Sequence, residues 1–361
     1  MDARHSTSLS PRRHALALAL LTSSVLAGAL EAQSRPGGAG GGWHAPTNSW
    51  GHPDLQGNWT NATLTPLTRS PGVGPTLTVE EVDRIESGQA QLVEDRAAPT
   101  DPNRALPPGG DNPVCIDSGT TCYNEVYRDP GERVAVVNGE ARSSLVTFPA
   151  DGRVPTFTPQ AQGLIAEMRV RSRQFSEYDH PELRPLAERC IVSFGSSAGP
   201  PMLPNYWYNN NYTIVQNADH VMIMAEMVHD VRIIRLGEPR PLPADVRPWF
   251  GDSWGRWEGN TLVVETTNIN PEHAFRGVPF SQSGKVIERF TRADSETILY
   301  EFTIDDPEVY TSAWGGEIPF RALHDLVYEY SCHEGNYALE GVLRGARFQE
   351  SSESVEPARG N

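Results

Sequence analysis

The stretch EMVHDVRIIRL, residues 226–236, sets Glu226, His229, Asp230 and Arg232 into an otherwise apolar run. Imidazole is the side chain whose charge changes nearest neutral pH. Beside a carboxylate it forms the usual unit of general acid–base catalysis. His229 with Asp230, or with Glu301 from another strand, is therefore the candidate catalytic set. Arg232 brings a fork that grips carboxylates or phosphates at two points, and Glu226 brings a second acid. Further ligand-binding candidates are Tyr208 and Asn210 in NYWYNNNY (205–212), Trp257, Asn268, Glu288 in VIERF, Tyr300 in LYEFTID and His333 in YSCHEGNY. Aromatic faces stack on sugars or flat ligands, and amides hydrogen-bond hydroxyls. The competing reading of 205–212 is an ordered loop whose side chains are tied to its own backbone.

Alternation decides what a strand can do with such residues, because successive side chains point to opposite faces. Read as one unbroken strand from Val221 to Arg235, the odd positions put His229 on the apolar face with Val221, Ile223 and Ile233. The even positions put Glu226, Asp230 and Arg232 on the other. A bulge at 228–230 would reverse part of that register. Three roles compete for the stretch: a buried, hydrogen-bonded core histidine, the lining of a cavity, or a general acid or base. Each needs partners, since a buried unpaired charge is costly.

Other chemistries fit less well. Two histidines with carboxylates could hold a metal, but no HExxH-type spacing occurs, so neither metal nor cofactor is expected. GDSWG, 251–255, has the letters of a nucleophile elbow around Ser253, and the Gly195–Gly199 segment has them around Ser197. An elbow joins a strand to a helix; a strand and a hairpin follow Ser253, so it reads as structural, with Asp252 capping a turn.

The elements that must position these residues are mostly strands. The second half contains short β patterns about every ten residues, separated by turn signals: 212–216, 221–227, 231–236, 253–257, 261–269, 285–292, 296–304, 317–323 and 326–334. That is the pattern of an antiparallel meander closed as a barrel or stacked as a sandwich. The first half is loop-rich. It offers a short strand in 55–62 and a capping box at Thr78 and Glu81 opening a helix. A hairpin follows at Asn138-Gly139, then a turn at Asp151-Gly152 and a helix from Pro159. High counts of Gly (32) and Pro (30) agree with much loop. The domain layout expected is a signal peptide over 1–32, a flexible linker over 33–50, one β-rich domain over 51–347 and a disordered tail over 348–361. Within that domain, 51–199 wraps and 200–347 forms the meander.

The chain of 361 residues carries a net charge of −16 and one lysine, Lys285. That balance argues against nucleic acid or anionic membrane as partner, because phosphate binding needs concentrated positive charge. SPRRHALALALLTSSVLAGA has a basic start, a short apolar stretch and small residues at its end, the features of an export signal. Its paired arginines point to the twin-arginine route, and the apolar stretch is too short to span a bilayer. The expected location is periplasmic or secreted, with no integral membrane segment after cleavage. Four cysteines in an exported chain suggest two disulfides with three possible pairings. Cys115–Cys122 with Cys190–Cys332 is favoured, the second stapling the middle of the chain to near its end.

The stretches PDLQGNWTNATLTPL, GPPMLPNYWYNNNYTIVQ, EMVHDVRII, GDSWGRWEGNTLVVETTNI and YEYSCHEGNY resemble an uncharacterised family of exported bacterial β-rich proteins over about residues 53–345. That resemblance implies an exported whole-chain domain and no particular chemistry. Gly57-x-Trp59 in LQGNW also resembles the first-strand motif of lipocalin-like barrels, although about 150 residues separate it from the main run of strands. The expected fold is thus mainly β: a lipocalin-like barrel or curved sheet, with one or two short helices in the N-terminal half. The expected function is binding of a small molecule in the barrel. The alternatives are a periplasmic lyase, isomerase or hydrolase using His229 and a carboxylate, and a structural or partner-binding envelope protein. A barrel filled by Met222, Met224, Phe290 and Phe302 would leave no room for a ligand. Oligomeric state is left open.

Overall fold

The structure, a computed structural model, describes residues 43–97, 128–193, 198–205, 208–273 and 280–353. The expected signal segment and the Cys115–Cys122 pair lie outside them. Among the described residues no helix is long and apolar enough to cross a membrane.

Nine strands close into a barrel: β1 (Gly57–Thr60), β5 (Asn211–Gln216), β6 (His220–Ala225), β7 (Val231–Leu236), β8 (Asp252–Glu258), β9 (Thr261–Thr267), β10 (Lys285–Arg292), β11 (Thr297–Asp305) and β12 (Trp314–Ala322). They follow one another around the wall in that order, and β12 returns to pair with β1, Trp59 opposite Ala322. Neighbours are antiparallel except β7 and β8, which run parallel, Ile234 opposite Ser253. The short β2 (Val136–Val137) and β3 (Glu140–Ala141) form a separate hairpin. β4 (Val146–Phe148) attaches to β12 where its register shifts at Gly315/Gly316. A Cβ on Gly316 would run into the Leu145 carbonyl, so only glycine lets β4 approach there. The fold is mainly β, a barrel of the lipocalin-like class.

The inner faces explain why these sequences form strands. Even-numbered residues of β9 to β12 point inward: Leu262, Val264 and Thr266, then Val286, Glu288 and Phe290, then Ile298, Tyr300 and Phe302, then Trp314, Ile318 and Phe320. Trp59 of the Gly57-x-Trp59 motif is buried, donates from Nε1 to the Leu55 carbonyl at 3.0 Å, and carries the Arg292 guanidinium 4.7 Å above its ring. Rings fill the middle of the lumen: Tyr212 on Phe320 at 5.3 Å, Phe320 on Tyr300 at 5.1 Å and Tyr300 on Phe290 at 5.0 Å. Met222 and Met224 are only half-buried, so they are not part of that filling, while Phe290 and Phe302 are.

Among the described residues three α-helices lie outside the barrel: α1 (Val79–Ala97), α2 (Pro159–Ser172) and α3 (Tyr337–Glu353). The expected capping box forms at α1, with Thr78 N–H donating to Glu81 Oε2 at 2.8 Å and Glu81 N–H to Thr78 Oγ1 at 3.2 Å. Asn138 and Gly139 take the positive φ values, 53° and 80°, that a two-residue hairpin loop requires.

Three expectations are corrected. The unbroken reading of Val221 to Arg235 fails, and the two separate patterns 221–227 and 231–236 pair instead: β6 ends at Ala225 and β7 runs back along it, Met224 opposite Val231. Residues 326–334 form no strand, despite their Val and Tyr content. They cross the end of the barrel, held there by a disulfide between Cys190 and Cys332, the long staple expected from the sequence. α3 continues through Phe348 to Glu353, into the segment expected as a disordered tail.

Candidate functional site

The β6–β7 reversal sorts the charged residues of 226–236 into two places. It is made by a 3-10 turn over Met227–His229 in which Val228 and His229 hold positive φ, 59° and 47°. Such a backbone is disfavoured for any residue with a Cβ, and most for a β-branched one. The turn is fastened by Ala225 N–H to the Asp230 carbonyl at 2.8 Å and His229 N–H to the Glu226 carbonyl at 3.1 Å. Because the chain reverses, the alternation restarts. Arg232 stands opposite Ile223 and shares its lumen face, against the expectation that it lay on the other face. His229, expected among apolar side chains, is exposed.

In the lumen, Arg232 and Glu288 form a two-point ion pair, Nη1 to Oε2 at 2.8 Å and Nη2 to Oε1 at 2.9 Å. Tyr300 donates its hydroxyl to Glu288 Oε1 at 2.9 Å and accepts the Met202 N–H at 2.9 Å. All three side chains are sealed from water. Burial opposes the arginine's charge, but Glu288 outweighs it and holds the guanidinium above its ordinary value. Burial, then the Glu288 charge, pushes the Tyr300 phenol well above the usual range. His273, close by, is depressed to about 4 by burial and by the Arg232 charge, against the opposing pull of the Gly199 backbone. It is therefore a neutral imidazole at any ordinary pH. Among the described residues only Arg232 Nε in this group lacks a partner.

At the barrel end around the turn a second set gathers. Glu226 accepts Asn211 Nδ2 at 2.8 Å and the Tyr328 N–H at 3.3 Å. Asp230 is buried. Among the described residues its carboxyl receives one hydrogen bond, from Ser193 N–H at 3.4 Å, and has no arginine or lysine partner. Burial pushes its pKa up to about 7, against the smaller opposing effects of the Ser193 N–H and His229. His229 Nδ1 lies 3.1 Å from the Tyr330 carbonyl, and its ring is 6.1 Å from that of His333. Tyr208 hydrogen-bonds the Tyr330 phenol, which burial and that neighbour raise above its usual range. The Cys190–Cys332 bridge, with Cys190 at φ 57°, anchors both Ser193 and the 328–333 strap to this rim.

The remaining candidates fall elsewhere. Asn210 is fully buried and committed to structure: its Oδ1 accepts Asn205 N–H at 3.0 Å and its Nδ2 donates to the Asp129 carbonyl at 3.0 Å. Asn205 likewise bonds the Tyr208 backbone, so these side chains follow the backbone-tied reading of the loop. Glu301 is on the outer face between Arg289 and Glu317, its pKa raised by burial with Glu317 adding and Arg289 opposing. Trp257 stacks on His52 at 5.2 Å, and Asn268 donates to the Leu242 carbonyl at 3.2 Å. Ser253 is buried against Thr266 at 2.8 Å, which fits its structural reading, and Asp252 pairs with Arg235. Sequence reasoning passed over Ser193, His273 and Tyr330. Tyr330 carried a signal, two residues before a disulfide cysteine; the other two carried none.

Among the described residues no group of three His, Cys, Asp or Glu side chains is placed to hold a metal ion. No family model, curated protein or solved structure matches the chain.

Proposed function

We propose that the protein is an exported small-molecule-binding β-barrel whose ligand is held at the barrel end by Asp230, His229, His333 and Tyr330. The observation that carries the reading is Asp230. It is a buried acid that, among the described residues, has one long hydrogen bond and no arginine or lysine partner, set beside a turn in disfavoured backbone. A fold retains such a costly arrangement where the group has work to do, and perturbed acids gather at functional sites. The ring-filled middle of the lumen argues for the rim over the centre. The N-terminal stretch SPRRHALALALLTSSVLAGA, read as an export signal, and the Cys190–Cys332 bridge support an oxidising compartment. A ligand bearing an amine or hydroxyl matches an acid, two imidazoles and a phenol.

The test is native mass spectrometry of protein recovered from its own periplasm, alongside Asp230→Asn and His229→Ala variants. A bound small molecule that both variants lose supports the reading. No bound molecule, or one that both variants retain, overturns it. His229→Ala should leave stability within about 0.5 kcal/mol, because the side chain is exposed.

A second reading is acid–base catalysis at the same rim. It is favoured by the Asp230 value near 7, where a group both gives and takes protons efficiently. Turnover of the recovered molecule, lost in Asp230→Asn, distinguishes an enzyme from a carrier.

A further inference from the structure

Away from the rim, the loop-rich half packs on the barrel and leaves a cleft of about 610 Å³. Thr68, Arg69, Ser70 and Arg153 line it together with Phe157 and Tyr310, whose rings meet at 5.6 Å. Cavities of roughly 300–1,000 Å³ are the usual size for small-molecule sites.

The first arginine is locked in place. Arg69 is buried, its Nε donates to Ser143 Oγ at 3.1 Å, and its Nη1 donates to the Ala150 carbonyl at 2.8 Å. Its own N–H bonds the Gly152 carbonyl at 2.9 Å. Gly152, at φ 69°, lies so close that an added Cβ would sit 2.8 Å from Arg69 Cζ. The fork is thus held by backbone and hydroxyl, with N–H groups left over, and no carboxylate neutralises it among the described residues. The second arginine, Arg153, is exposed at the cleft and also lacks a carboxylate partner there. Asp151, two residues away, caps the Arg153 backbone N–H at 3.1 Å and is not part of the wall. In a chain of net charge −16, two arginines with no carboxylate partner among the described residues line one cleft whose lining holds no acid, and together they form a local anion site. The paired rings and the proline and valine side chains beside them supply an apolar wall for the rest of a ligand.

We propose that this cleft binds an organic carboxylate with a flat apolar body, the carboxylate between Arg69 and Arg153 and the body against Phe157 and Tyr310. Guanidinium forks match carboxylate geometry in two places, and rings favour a planar partner.

Calorimetric titration of the full chain with naphthoate, its uncharged amide and inorganic phosphate tests this. Naphthoate should bind, with the amide and phosphate each at least about tenfold weaker. Arg153→Ala, an exposed change that does not threaten folding, should weaken naphthoate at least about tenfold. Arg69→Lys keeps charge but loses the fork and should weaken it too. Asp230→Asn, at the separate rim, should leave naphthoate binding unchanged. The proposal is overturned if naphthoate does not bind, if the amide or phosphate binds equally well, or if Arg153→Ala has no effect.

Discussion

Glu288 and Asp230 are both carboxylates almost sealed from water, and the barrel treats them oppositely. Glu288 meets Arg232 at two points and Tyr300 at a third, so its charge is answered by rigid donors. Among the described residues Asp230 has a single 3.4 Å hydrogen bond, from Ser193 N–H, and burial pushes its pKa up to about 7. The lumen uses its buried acid for internal order; the rim leaves an acid that changes charge near neutral pH. The difference lies in which neighbours the strands supply. β7, β10 and β11 each direct one complementary side chain to the same point of the lumen, whereas among the described residues Asp230 meets only the Ser193 backbone N–H and the neighbouring His229 imidazole.

The largest effect that would break this contrast is expected in the lumen. Glu288→Ala leaves Arg232 buried and unpaired and should cost about 3–5 kcal/mol in denaturant unfolding. Replacing both, Arg232→Met with Glu288→Leu, should recover most of that loss, because the pair's mutual attraction mainly offsets its own desolvation. A single-mutant cost below about 1 kcal/mol would mean that water reaches the pair and that the two acids are alike.

A smaller effect sharpens the other side. The Asp230 pKa rises from 3.8 to about 7 on folding. Between those values the folded chain keeps a proton that the unfolded chain has lost, so this group makes stability fall as pH rises and then level off above about 7. The span is on the order of 4 kcal/mol. Wild-type stability minus that of Asp230→Asn, followed by urea unfolding from pH 4 to 8, isolates it. A flat difference would remove the contrast with Glu288.

The smallest effect is expected on the outer face. Glu301→Gln removes a charge beside Glu317 and opposite Arg289, partly solvated on the barrel wall. It should change stability by no more than about 0.5 kcal/mol and leave rim binding intact. Loss of ligand in this variant would return Glu301 to the site.

Much of the wall was legible because alternation is a local property. β7 and β10 have the boundaries read from the sequence, and the Asn138-Gly139 hairpin and the Thr78–Glu81 box form as expected. The turn at 227–229 was not legible: Met, Val and His contain none of the usual turn residues, and positive φ at Val228 and His229 is imposed by packing. Carrying the alternation through it sent Arg232 and His229 to the wrong faces. Residues 326–334 have strand composition but are pinned across the barrel end by the disulfide and by Glu226, a tertiary restraint that no periodicity records. Arg232, Glu288 and Tyr300 were each singled out from the sequence, yet their convergence depends on shear and strand order, which one chain's pattern leaves open.

The return of β12 to β1 has a consequence for how the molecule comes into being. Trp59 lies near the beginning of the described chain and Ala322 near its end, and their pairing closes the wall. Until β12 has been synthesised, β1 can pair only with β5, and the row of strands keeps a free edge and an uncovered apolar face. Long-range pairing of this kind is slow, and open edges invite aggregation. The last strand to leave the ribosome is therefore the one that seals the barrel, and a chain truncated before Trp314 would be left as an open, adhesive sheet.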